Sequence, residues 1–165
     1  MKVIKRIKHW LDQLLLIISL VFLVIMVVVI ILQVISRGIF SFTPSWSEEL
    51  SRLLFVWVSF LGIAYGFKEK LHMSLGLFVE KMPDKVKDGF DLAAKLIVIA
   101  LGMIMFIYGW KFTMLMGQST MPGLGVPSGV LYAAIPVTGF FVTMYGIELL
   151  FKKGMHQEFN DVEEE

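Results

Sequence analysis

The sequence predicts an all-α integral membrane protein of four transmembrane helices, with both termini cytoplasmic and an amphipathic interfacial stretch between the second and third helices. Three observations predict this. Hydrophobic residues make up 57% of the chain and mean hydropathy is +0.77, whereas soluble domains carry roughly 45–50% apolar residues. The apolar residues gather into four long runs, and most of the charge falls between or beyond them. Lys and Arg are distributed unequally between alternate connections, which sets an orientation.

The first run, residues 14–35, carries no charge over its length and as a helix would span about 33 Å at ~1.5 Å per residue, enough to cross a bilayer. Lys2, Lys5, Arg6 and Lys8 precede it, as they would precede a signal peptide, but the run exceeds the ~7–15 residues of an h-region and no small-x-small cleavage site follows. The second run, Leu53 to Phe67, is too short alone for ~30 Å of hydrocarbon, so its helix is placed at 47–67, starting inside the charged joint Pro44-Ser45-Trp46-Ser47-Glu48-Glu49-Leu50-Ser51-Arg52. Ser45 and Glu48 form S-x-x-E, the capping-box spacing, and Arg52 follows Glu48 by one helical turn on the same face.

Residues 68–91 mix both signs of charge with Leu71, Leu75, Leu77, Phe78, Val79 and Met82, the pattern of a segment lying flat on a membrane. The third span is placed at 92–117, apolar within its Leu96 to Gly117 core except for Lys111, which can snorkel to the interface. Gln118 to Gly129 holds two prolines, three glycines and no charge, the composition of a compact loop. The fourth span, 130–151, contains Pro136, which implies a kink. Residues 154–165 form an acidic tail. Lys and Arg number four in the N-terminal segment (Lys2, Lys5, Arg6, Lys8), six in the second connection (Lys68, Lys70, Lys81, Lys85, Lys87, Lys95) and two in the tail, against two in the first connection (Arg37, Arg52) and none in the third. The joint and the proline loop would then face outward.

With 0 cysteines, disulfides, thiol redox chemistry and thiolate metal sites are excluded. The 3 histidines, His9, His72 and His156, lie near segment ends or in polar stretches, which argues against paired axial haem ligands. A net charge of +1 gives no field for nucleic acid. No ionisable side chain falls deep within the four runs, although a transporter that binds its own ion or proton usually keeps one there. H-E-x-x-H, G-x-S-x-G and P-loop patterns are missing, and Gly123-x-Gly125 opens a membrane helix instead of following a strand. What the sequence does offer is packing surface. Glu48, Arg52, Ser59, Gly62 and Gly66 fall along one side of the second helix, and Gly62-x-x-x-Gly66 admits a second backbone closely. That partner is either another helix of this chain or another subunit. The charges at the joint are either an ordinary solvated helix end or a held protein contact, and Trp46 suits an aromatic belt.

Arg37 at the end of the first span, Trp46-Ser47-Glu48-Glu49-Leu50-Ser51-Arg52, Phe55-Val56-Trp57 and Leu61-Gly62 together resemble the small membrane subunit of tripartite ATP-independent periplasmic (TRAP) transporters, the DctQ-like family. Lys70-Leu71-His72, Met82-Pro83, Leu124-Gly125-Val126-Pro127 and Tyr132-Ala133-Ala134-Ile135-Pro136 extend the resemblance over nearly the whole chain. The resemblance implies a non-enzymatic inner-membrane subunit without cofactors of its own. It would act beside a large membrane subunit that holds the substrate and sodium sites and moves them by an elevator motion. A periplasmic binding protein would deliver an organic acid such as a sialic acid, a sugar acid or a C4-dicarboxylate. Arg37, Trp46, Glu48, Glu49, Arg52, Ser59, Gly62, Gly66, Pro127, Tyr132 and Pro136 are the residues expected at subunit contacts or in assembly, with membrane lipid around them. Two other classes stand beside this one: an autonomous four-helix transporter, which would need a membrane-embedded carboxylate, and an assembly protein unrelated to transport.

Overall fold

A computed structural model of the protein describes residues 2–70 and 84–151. Four segments are long and apolar enough to cross a membrane, as expected. They are built from α1 (Lys2–Phe40), α2 (Ser45–Lys70), α3 (Asp84–Met116) and the pair α4 (Gly129–Tyr132) and α5 (Ala134–Phe151). Between α3 and α4 the chain forms a two-stranded antiparallel hairpin, β1 (Thr120–Met121) and β2 (Val126–Pro127), with Thr120 opposite Pro127 and Met121 opposite Val126. The central part of the expected interfacial stretch (71–83) and the acidic tail lie outside the described residues.

Local chemistry sets the breaks. Ser41, at φ 51°, takes the left-handed turn that ends α1, donating its N–H to Arg37 O at 3.1 Å, while Ser36 Oγ donates to Phe42 O at 2.9 Å. Pro136 has no N–H to offer Tyr132 O, so the hydrogen-bond ladder of the fourth crossing breaks at Ala133, where the Val137 N–H bond to Ala133 O stretches to 3.3 Å. The expected kink therefore falls at Ala133, whose φ −60° and ψ −20° and whose N–H bond to Gly129 O keep the backbone helical between α4 and α5.

Packing arranges the helices as a row in the order α1, α2, α5, α3, with the most extensive contact between α3 and α5. Glycine makes that contact close. A Cβ on Gly139 of α5 would lie 2.5 Å from Phe106 N, one on Gly102 of α3 would lie 2.7 Å from Thr143 N, one on Gly109 would lie 3.0 Å from Pro136 N, and Gly146 admits the Ile99 side chain. Two seven-residue glycine repeats, one on each helix, thus form a backbone-to-backbone seam, which in lipid is a principal source of helix attraction. On the other side, α1 meets α2 through Phe22 and Trp57, whose rings are edge-on at 6.1 Å. Leu15, Leu61 and Tyr145 form the core where α1, α2 and α5 converge.

One expectation needs correction. Asp12 lies within the α1 crossing, 5% exposed, and accepts a 2.6 Å hydrogen bond from Tyr145 Oη of α5. Lys95 of α3 is equally buried. A run counted only over uncharged residues starts after Asp12, which is why the sequence reads as lacking an ionisable group in its spans; the helix itself begins earlier and carries Asp12 into the packed end of the bundle.

Tyr145→Phe should destabilise the protein by about 1–3 kcal/mol, the range for leaving a buried acceptor short of a donor, measured by unfolding in mild detergent. Gly139→Leu should force α3 and α5 apart; overpacking of this kind costs about 1–3 kcal/mol or more, and a retained melting temperature would show that the seam is looser than described.

Candidate subunit-contact site

The joint between α1 and α2 forms one end of the molecule, and the hairpin covers it. Ser47 anchors the start of α2: its N–H and its Oγ both donate to Pro44 O, at 3.0 and 2.7 Å, and its side chain is 2% exposed. The reciprocal Ser45–Glu48 capping box is not formed, because α2 already includes Ser45 and the first-turn hydrogen bonding passes to Ser47 and Ser51, whose Oγ donates to Ser47 O at 2.7 Å. Glu48 and Arg52 make no ion pair among the described residues, and both are exposed.

Glu49 has a different role. Its Oε2 accepts the Leu124 N–H at 2.9 Å, across 75 residues of sequence, and so ties α2 to the tip of the hairpin. Gly123 lies against the Ser45–Trp46 backbone closely enough that a Cβ there would approach Ser45 O to 2.8 Å. The tip is shaped by Gly125, at φ 68°, whose N–H donates to Met121 O at 2.8 Å. About two turns further along α2, Trp57 Nε1 donates to Val130 O at 3.0 Å, fixing α2 to the start of α4. The carboxylate is well matched to this position: it follows directly on the first turn of α2, near the positive end of the helix dipole, while satisfying a loop amide.

The residues expected at contacts therefore divide. Pro136 is buried against Gly109, and the Tyr132 ring packs edge-on against Phe112 at 4.8 Å, so both serve the bundle itself. Glu49 is engaged by the hairpin. Arg37, Trp46, Glu48, Arg52, Gly62 and Pro127 are exposed, and Ser59 and Gly66 are half-buried. A Cβ at Gly62 or Gly66 would meet nothing within 4 Å, so among the described residues the glycine pair has no close neighbour. Exposed Phe55 lies on the same stripe and extends it. Sequence reasoning missed Ser47, Gly123, Leu124 and the Asp12–Tyr145 pair, each defined by a partner distant in the chain or by a backbone contact.

Residues 26–153 match the family model described as the DctQ component of tripartite ATP-independent periplasmic transporters. The chain belongs to the DctQ family. Among relatives of this DctQ-family chain, the sialic acid TRAP transporter small permease protein SiaQ of Vibrio cholerae is 27% identical over 72% of the chain and 69% of its own length. The C4-dicarboxylate TRAP transporter small permease protein DctQ of Rhodobacter capsulatus is 30% identical over 64% of the chain and 48% of its own length. The sialic acid TRAP transporter permease protein SiaT of Haemophilus influenzae is 28% identical over 93% of the chain but only 24% of its own length. The chain is thus a multi-pass inner-membrane small permease subunit of a TRAP transporter and not an enzyme.

Glu49→Ala should leave the Leu124 amide without its acceptor and cost about 1–3 kcal/mol locally, read as hydrogen exchange at Leu124 faster by on the order of tenfold or more. Glu48→Ala serves as the control and should leave that rate unchanged.

Proposed function

We propose that this DctQ-family subunit is a fixed scaffold, both termini cytoplasmic, that enlarges the stationary part of a large TRAP membrane subunit in a sodium-coupled importer of organic acids. Sodium and substrate are held by the large subunit. A periplasmic binding protein delivers the substrate near the joint and hairpin, which face outward.

The observation that carries this reading is the open stripe on α2. Glu48, Arg52, Phe55, Ser59, Gly62 and Gly66 alternate four and three residues apart, the spacing of a knobs-into-holes seam, on the side of α2 not used by Leu54, Leu61 and Ala64. Lipid is a poor cover for it, because Glu48 and Arg52 at its outward end favour polar partners and the glycines leave room for a backbone. The fused arrangement in the SiaT relative, where a segment matching this chain occupies about a quarter of a longer permease protein, supports a large membrane partner. Asp12 is the kind of carboxylate an autonomous transporter would need, but it sits at the third residue of its span and is bonded to Tyr145, which suits a tie between helices.

Gly62→Leu should reduce co-purification with the large subunit by tenfold or more while the chain still inserts and folds; an unchanged yield would place the interface elsewhere. Deletion of this chain should abolish sodium-driven uptake with the large subunit still in the membrane. Uptake by the purified chain alone in liposomes would favour the autonomous reading.

A further inference from the structure

At the free edge of the row, α3 carries a shallow groove of about 510 Å³ along its half nearest the hairpin. Ile104, Met105, Gly109, Phe112 and Leu115 of α3 line it together with Ile135 of α5. Phe112 is held as a wall by its edge-on contact with Tyr132. The lining is almost wholly apolar except at one place: exposed Lys111, whose Nζ lies 5.6 Å from the Tyr108 ring centroid. Among the described residues Lys111 has no ion pair, and α3 offers no acidic side chain between Leu92 and Met116.

We infer that this groove seats a single anionic phospholipid, one acyl chain lying along α3 and its phosphate paired with Lys111. The dimensions fit one leaflet. From the level of Lys111 down to Ile104 the groove runs roughly 10 Å at ~1.5 Å per residue, within the ~15 Å that one leaflet contributes to a ~30 Å hydrocarbon core. The level fits as well. Tyr108 and Trp110, 65% and 55% exposed, are the amphipathic aromatics that settle at the headgroup boundary, and Lys111 shares their turn. A cation held there beside an aromatic face is desolvated on one side and favours a fixed anion more than a freely hydrated surface lysine does. A helix of the large subunit would be a different occupant. The α2 stripe already provides small residues and charges for that purpose, whereas the α3 groove offers an apolar trough with one cation.

The test is native mass spectrometry of the full chain purified in mild detergent from membranes, with phosphatidylglycerol and phosphatidylethanolamine added back in equal amounts. The wild-type chain is expected to retain one phosphatidylglycerol at least fivefold over phosphatidylethanolamine. Lys111→Gln should bring the ratio close to one, and Lys111→Arg should keep it. Ile104→Trp, which fills the groove and leaves the charge in place, should lower retention of both lipids and guards against misreading a folding defect in Lys111→Gln. Equal retention of the two lipids by the wild-type chain, or an unchanged preference in Lys111→Gln, overturns the inference. Loss of the large subunit from Lys111→Gln with lipid retention intact also overturns it, in favour of a protein occupant.

Discussion

Helices in hydrocarbon gain little by hiding apolar surface from one another, because the lipid is as apolar as they are; what remains is how closely two backbones can approach. In this protein the closest approach is the α3–α5 seam, where glycine repeats on both sides bring main chain against main chain. Other features follow from where the seam sets α5. It places Pro136 against Gly109, so the kink before α5 falls within a packed contact, and it brings the start of α4 to where Trp57 can reach Val130 O. With α3 and α4 fixed, the hairpin between them has one place to lie, over the start of α2, and Glu49 receives it.

The resulting row differs from a square bundle in what it can do. A bundle encloses an axis and can build a site there, but a row spreads its helices and exposes both faces. In the packed part of this row Asp12 and Tyr145 bond to each other across helices, and the α2 stripe and the joint lie open on the outside. That layout suits a subunit whose contribution to a TRAP transporter is surface and rigidity.

The fold class and the four crossings were legible because hydropathy over some twenty residues is a strong signal. The family was legible because the Trp46–Arg52 block and the proline motifs recur in order. The fine structure was less so. Gly62-x-x-x-Gly66 drew attention as a packing motif, yet the glycines that pack inside this chain are Gly102, Gly109, Gly139 and Gly146, whose seven-residue spacing matters only once the two helices are known to pair. Glu48 and Glu49 are adjacent in sequence and alike in chemistry. Only the position of Leu124 separates them, and no local pattern contains it. Asp12 was overlooked because apolar runs were bounded by charge, although a helix can carry a charged residue inward if a partner such as Tyr145 waits there.

The membrane-crossing part of α1, Trp10–Phe40, has 31 residues and measures roughly 46 Å, about half as long again as ~30 Å of hydrocarbon. Such a mismatch is accommodated by leaning, by lifting the ends clear, or by deforming the surrounding lipid. Beyond Arg37 the helix still presents Ile39 and Phe40, more than 70% exposed, with Phe42 just after the turn, so its C-terminal end carries greasy side chains beyond a cation. An oblique α1 would lay these residues down into the hydrocarbon boundary and tip its neighbour α2 with it. Of the four crossings α1 is the longest and the least hemmed in by the others, so it has the most freedom to lean.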